Sequence, residues 1–175
     1  MPLEAIMFSA LRIHVLPGPV DLDEAASFLV SSLLLSHGIR RNTVAIVELD
    51  IGLLAAPGWS LRQLRPDLET ATGWVRAVLY KGKARGLGAL ILRGIRSGDI
   101  LQTAASLGFQ AIRTCSGHPQ LAGWELGGKA IIVHGEGPGG RCWLSAPCRP
   151  PCRAAVSNII LDRIGARLNS RGGRV

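Results

Sequence analysis

His134-Gly135-Glu136-Gly137-Pro138-Gly139-Gly140 sets a carboxylate among glycines, directly after an apolar run. Glycine lets backbone approach a ligand closely and leaves N–H groups free to bind it. The loop is not a Walker phosphate loop, because no Gly-Lys-Ser/Thr closes it. Nor is it a dinucleotide fingerprint, because no helical pattern begins directly after it. On the glycines alone, a plain surface turn is an equal reading. Ser36-His37-Gly38-Ile39-Arg40-Arg41 is more informative. It follows a helical pattern, where two arginines either offset the negative helix end or clamp phosphate. Adjacent arginines point different ways, so one is expected in each role. His37 reads as a helix-end packing residue rather than a catalyst.

Other chemistry is poorly provided for. Cys148 and Cys152 form one C-x3-C pair, and Cys115 and Cys142 stand apart. Without a second pair at ligand spacing, a zinc site is disfavoured and the cysteines read as ordinary half-buried side chains. A disulfide among Cys142, Cys148 and Cys152 is expected only in a hyperthermophile's protein. The 12 acidic residues are scattered. No Ser/His/Asp set or close carboxylate pair emerges, so hydrolysis has no visible machinery.

The charge points to a partner. Net charge is +8 with a pI near 10.4, and lysine occurs only at Lys81, Lys83 and Lys129. An arginine-rich surface grips phosphate bidentately and stacks on bases, so nucleic acid is favoured over a mere codon bias. The longest apolar runs, such as 28–35, fall well short of a bilayer span. No leader-like segment opens the chain, so a cytoplasmic protein with no membrane contact is expected.

Periodicity supplies the elements that must position these residues. Strands are predicted over 6–15, 44–49, 89–92, 111–114, 130–133 and 142–145. Helices are predicted from an Asp23 cap to Gly38, from Pro66-Asp67 through Leu79, from a Ser97 cap to Gly108, and over 153–168. A Gly/Pro-rich connection is predicted from Gly52 to Ser60. The alternation argues one α/β domain over 1–169 with a mainly parallel sheet, then a frayed tail at 170–175. Ligands of such sheets bind beyond the strands' carboxyl ends, here the loops 93–97, 134–140 and 146–151.

Leu35-Ser36-His37-Gly38-Ile39-Arg40-Arg41-Asn42 resembles the signature ending the first helix of archaeal tRNA pseudouridine-54 N1-methyltransferases, members of the SPOUT class. Leu61-Arg62-Gln63-Leu64-Arg65-Pro66-Asp67 resembles the turn that opens their second helix. Val156, Asn158 and Leu161-Asp162-Arg163 are similar to their final helix, with one residue of slippage. The resemblance implies a SPOUT-type α/β fold with a C-terminal trefoil knot, S-adenosylmethionine as cofactor, tRNA as substrate and a homodimer. The last helix, with Val156, Ile159, Ile160, Ile164 and Leu168, would share the dimer interface. It further implies cofactor contacts at Leu92, Gly94, Val133, Gly135, Gly137, Leu144, Ala146 and Cys152. Glu136 would assist catalysis by charge and positioning, and His37, Arg40 and Arg41 would bind RNA. Where the family has Asp this chain has Glu136, and where it has the middle Gly of its third loop this chain has Ala146. Family arginines of the first helix are Asp21 and Ser27. A non-catalytic RNA-binding domain on the same fold, or a paralogue acting on another RNA, is the rival expectation.

Overall fold

The computed structural model describes residues 3–35, 38–81, 84–117, 120–121, 128–135 and 142–171. Its centre is β1 (Arg12–Leu16), flanked in parallel by β4 (Thr43–Leu49) and β9 (Ala130–His134). Beyond β9 lie β7 (Gln110–Cys115) and β10 (Cys142–Ser145), both parallel, and then antiparallel β8 (Gln120–Leu121). On the other side lie β5 (Gly52–Pro57) and β6 (Leu90–Leu92), each antiparallel to its inner neighbour. The sheet order is β6-β5-β4-β1-β9-β7-β10-β8. The expected α/β class with a mainly parallel sheet is therefore observed.

Strand alternation builds two cores. Val44 and Ile46 face one side with Ile13 and Val15, while Ala45, Val47 and Leu49 face the other. The first side is covered by α1 (Leu3–Phe8) and α4 (Ser97–Ser106), the second by α2 (Leu22–Leu33), α3 (Leu68–Tyr80) and α5 (Pro150–Arg171). A smaller cluster of Ile112, Ile132, Trp143 and Leu161 lies where α5 crosses β7 and β9. A two-stranded hairpin, β2 (Leu34–Leu35) and β3 (Gly38–Ile39), follows α2.

Several expectations are corrected. The opening segment is α1 before it is β1. Adjacent Ile6 and Met7 are both fully buried in one core, which a helical turn allows and a strand's alternation forbids. The connection from Gly52 to Pro57 is strand β5, buried throughout. Its Gly and Pro mark the ends of an apolar run: Gly52, at φ 128°, makes the tight return from β4, and Pro57 is the last residue in the ladder. Asp21, not Asp23, caps α2 by accepting from the Glu24 amide at 2.8 Å, and Ser97 lies inside α4 rather than capping it. The last helix begins at Pro150, whose ring suits a first turn, and runs to Arg171. The tail from 172 onward lies outside the described residues. Among the described residues, no helix is long and apolar enough to cross a membrane.

Candidate functional site

The carboxyl ends of β9, β7 and β10 are neighbours. Thr114 pairs with His134, Cys115 pairs with Ser145, and the Ala146 amide donates to the Cys115 carbonyl at 3.1 Å. Gly135 and Gly117 follow their strands at φ 151° and 147°, conformations side chains resist; Gly135 lies against Pro17 and Gly117 against Ser145 Oγ. Val133 and Leu144 are buried just beneath.

The helix α5 closes this crest. Arg153 is 3% exposed, and its Nη1 donates to Ser116 Oγ (3.1 Å) and to the Cys148 carbonyl. Burial lowers its pKa, yet no ion pair neutralises it among the described residues. The cysteines are paired, contrary to expectation. Cys115 is bonded to Cys142 across β7 and β10, and Cys148 to Cys152 at the start of α5. The parallel pairing of β7 with β10 brings the first pair together from 27 residues apart, a neighbourhood no local spacing reveals.

A buried chain of side chains runs under the crest. Asn158 sets its direction. Its amide N donates to the Ser32 carbonyl at 2.9 Å, so its Oδ1 must accept from His14 Nε2 at 3.1 Å. His14 Nδ1 then accepts from His134 Nε2 at 2.8 Å, and His134 Nδ1 accepts from the Thr114 hydroxyl at 2.9 Å. All four side chains are buried. The two imidazoles stack, with centroids 5.1 Å apart. Burial holds both well below their ordinary pKa, so each is neutral, which the single-proton hydrogen bonds also require. A chain that ends on a backbone carbonyl passes no net proton. Its work is to tie the ends of β7 and β9 to β1, α2 and α5.

Of the residues expected to meet a cofactor, Val133, Gly135, Leu144 and Ala146 lie at this crest, and Cys152 lies at the start of α5. Leu92 and Gly94 do not join them. They end β6, separated from β9 by β5, β4 and β1, about 19 Å across the sheet. The following loop is pinned elsewhere, with the Ser97 amide and Arg96 Nη1 both donating to Glu48 at 3.3 Å. Glu136, Gly137 and His37 lie outside the described residues. Arg40 is drawn inward to Asp162, which also holds Arg12, leaving its side chain 12% exposed; the expected phosphate role does not suit it. Arg41 is exposed, with Nη1 donating to the Trp59 carbonyl at 3.3 Å. The segment after β7, the histidine chain and Arg153 are not among the residues the sequence singles out; Gly117 is a local signal for the first. No protein-family model matches this chain, and no curated protein matches it.

Proposed function

We propose that this chain is an S-adenosylmethionine-dependent RNA methyltransferase of the SPOUT class, acting as a cytoplasmic homodimer on N1 of pseudouridine 54 in tRNA. One observation carries the reading: three adjacent strand ends converge at one crest, and the helix leaving the last of them returns to the middle of the sheet. That return, from β10 back to β1 and α2, is the kind of path a C-terminal trefoil knot needs. The crest suits the cofactor chemically. Gly117 and Gly135 put glycine backbone at two of the strand ends for its adenosine, over an apolar floor of Val133 and Leu144. When bound, the cofactor supplies a methyl group activated on a sulfonium. This chain's residues would hold it, orient the nucleotide and, through Glu136, favour the charge distribution of transfer.

Calorimetry with S-adenosylmethionine tests the first step, and tritium transfer to tRNA containing pseudouridine 54 tests the second. Binding in the micromolar range and transfer are expected, with Glu136→Gln slowing transfer roughly 10–100-fold. No binding at millimolar cofactor would favour a non-catalytic RNA-binding domain.

A further inference from the structure

At the opposite end of the strands lies a second candidate site. A cleft of about 550 Å³ is walled by Arg41, Trp59, Arg62 and Arg85, with Ser60 and Gly88 at its base. Two loops form it, 58–62 after β5 and 84–88 before β6, and backbone contacts zip them together. The Arg62 amide donates to the Leu87 carbonyl at 3.0 Å, and Ser60 Oγ donates to the Gly88 carbonyl at 2.8 Å. Trp74 Nε1 fixes the Arg62 carbonyl from below at 2.9 Å. The approach is so close that a Cβ on Gly88 would lie 1.8 Å from the Ser60 carbonyl oxygen. Leu61 and Leu64 are buried on either side of Arg62 and Gln63, and Gln63 takes φ 62°, so the turn sends Arg62 outward.

The result is a rigid frame holding three exposed guanidiniums and a half-exposed indole around one hollow. No carboxylate lines it, and no ion pair engages Arg41, Arg62 or Arg85 among the described residues. Unneutralised arginines favour phosphate, and an indole beside them offers a face on which a base can stack. We infer that this cleft docks the sugar–phosphate backbone of RNA, about a strand length (roughly 15 Å or more) from the crest. The choice of RNA among polyanions rests on the proposed function. The cleft would grip the substrate at a point remote from the nucleotide being modified.

Fluorescence anisotropy of a labelled tRNA transcript, titrated over a range of salt, tests this. Arg62→Ala with Arg85→Ala keeps the zip, because Arg62 uses only its backbone there. Circular dichroism should show a native fold. Affinity is expected to fall about tenfold or more, and the log–log salt slope to become shallower by about 1.4 to 1.8. The control pair Arg76→Ala with Arg93→Ala removes equal charge from exposed positions outside the cleft and should change the slope far less. Equal losses in both pairs would overturn the cleft while leaving RNA binding intact. Failure of the wild type to bind tRNA would overturn the RNA reading and the cleft with it. Lack of cofactor binding beside a normal cleft effect would overturn only the methyltransferase reading.

Discussion

Arg40 and Asp162, 122 residues apart in the chain, form an ion pair that fastens the segment after β3 to α5. Asp162 holds Arg12 of β1 as well. Burial pushes the Asp162 carboxyl up, but the bonds and charges of the two guanidiniums outweigh it and hold it below its ordinary value. Stability from a depressed carboxyl is present above its unfolded pKa, near 4, and is lost as pH falls through the folded value. Asp162 is 43% exposed, so solvent screens the pair. Asp162→Asn should cost about 1 kcal/mol at pH 7. Urea unfolding should show that deficit shrinking by pH 3; an equal deficit at both would assign the role to packing instead of charge.

The histidine chain predicts a second pH dependence, over a different range. Burial pushes His14 down to about 3; the Asn158 bond opposes this, and the charges of Arg12 and Arg40 reinforce it. His134 is lowered by burial, then by His14 and Arg153. Both stay neutral when folded, whereas the unfolded chain protonates near pH 6.5. Stability is therefore complete above pH 6.5 and declines below it, by about 1.4 kcal/mol per pH unit for each histidine. Urea unfolding at pH 7.5, 6 and 5 measures the slope. Nitrogen-15 NMR should find both rings as Nε2–H tautomers throughout, and titration of either between pH 8 and 6 would contradict the assignment.

Asn158→Ala removes the group that both accepts the hydrogen bond of His14 Nε2–H and donates to the Ser32 carbonyl. Among the described residues, two buried polar atoms are then left without partners, at about 1–3 kcal/mol each. A loss of about 3 kcal/mol in chemical denaturation is expected. A change under 1 kcal/mol would mean that water replaces the amide.

Gly135→Ala tests the crest directly. A Cβ there would lie 3.4 Å from Pro17, ordinary contact, so the strain comes from φ 151°. Such strain costs of order 1–3 kcal/mol, which the fold can absorb. Cofactor affinity measured by calorimetry should fall about tenfold or more as the backbone shifts, a change equivalent to about 1.4 kcal/mol. Unaltered affinity would move the cofactor away from this strand end.

Ile159, on α5, is 50% exposed beside partly buried Val156 and Ile160. If α5 forms the dimer interface, Ile159→Asp should give monomers in light scattering with the circular dichroism spectrum unchanged. A wild type that is already monomeric at micromolar concentration would end the homodimer proposal.

What the sequence made legible was whatever is local. The runs of β4 and β9 are apolar enough to announce buried parallel strands, and Asp67 followed by a helical stripe announced α3. The apolar run of Leu53–Ala56 was obscured by the Gly and Pro that bound it. Ile6–Val15 looked like one strand because a short helix and a strand leave similar apolar marks over ten residues. The candidate site was half legible. Loops after β9 and β10 stand out by their glycines and prolines, whereas the distance of Leu92 and Gly94 from them follows from strand order, which is not written in spacing. The histidine chain joins residues 120 and 144 positions apart, and neither ring has a local sign of its partner. Adjacency predicts that Arg40 and Arg41 part, but only the fold shows which goes to Asp162 and which to the surface.

Asn158 also bears on the order in which this molecule can be made. A ribosome delivers β1 and α2 well before α5. Until α5 emerges, the His14 Nε2–H and the Ser32 carbonyl have no protein partner for the bonds they make in the finished core. The nascent amino-terminal half can form its strands, but it must keep these groups wet. Native burial of β1 therefore waits for α5, and a product stalled before that helix would expose the same surface to chaperones and proteases.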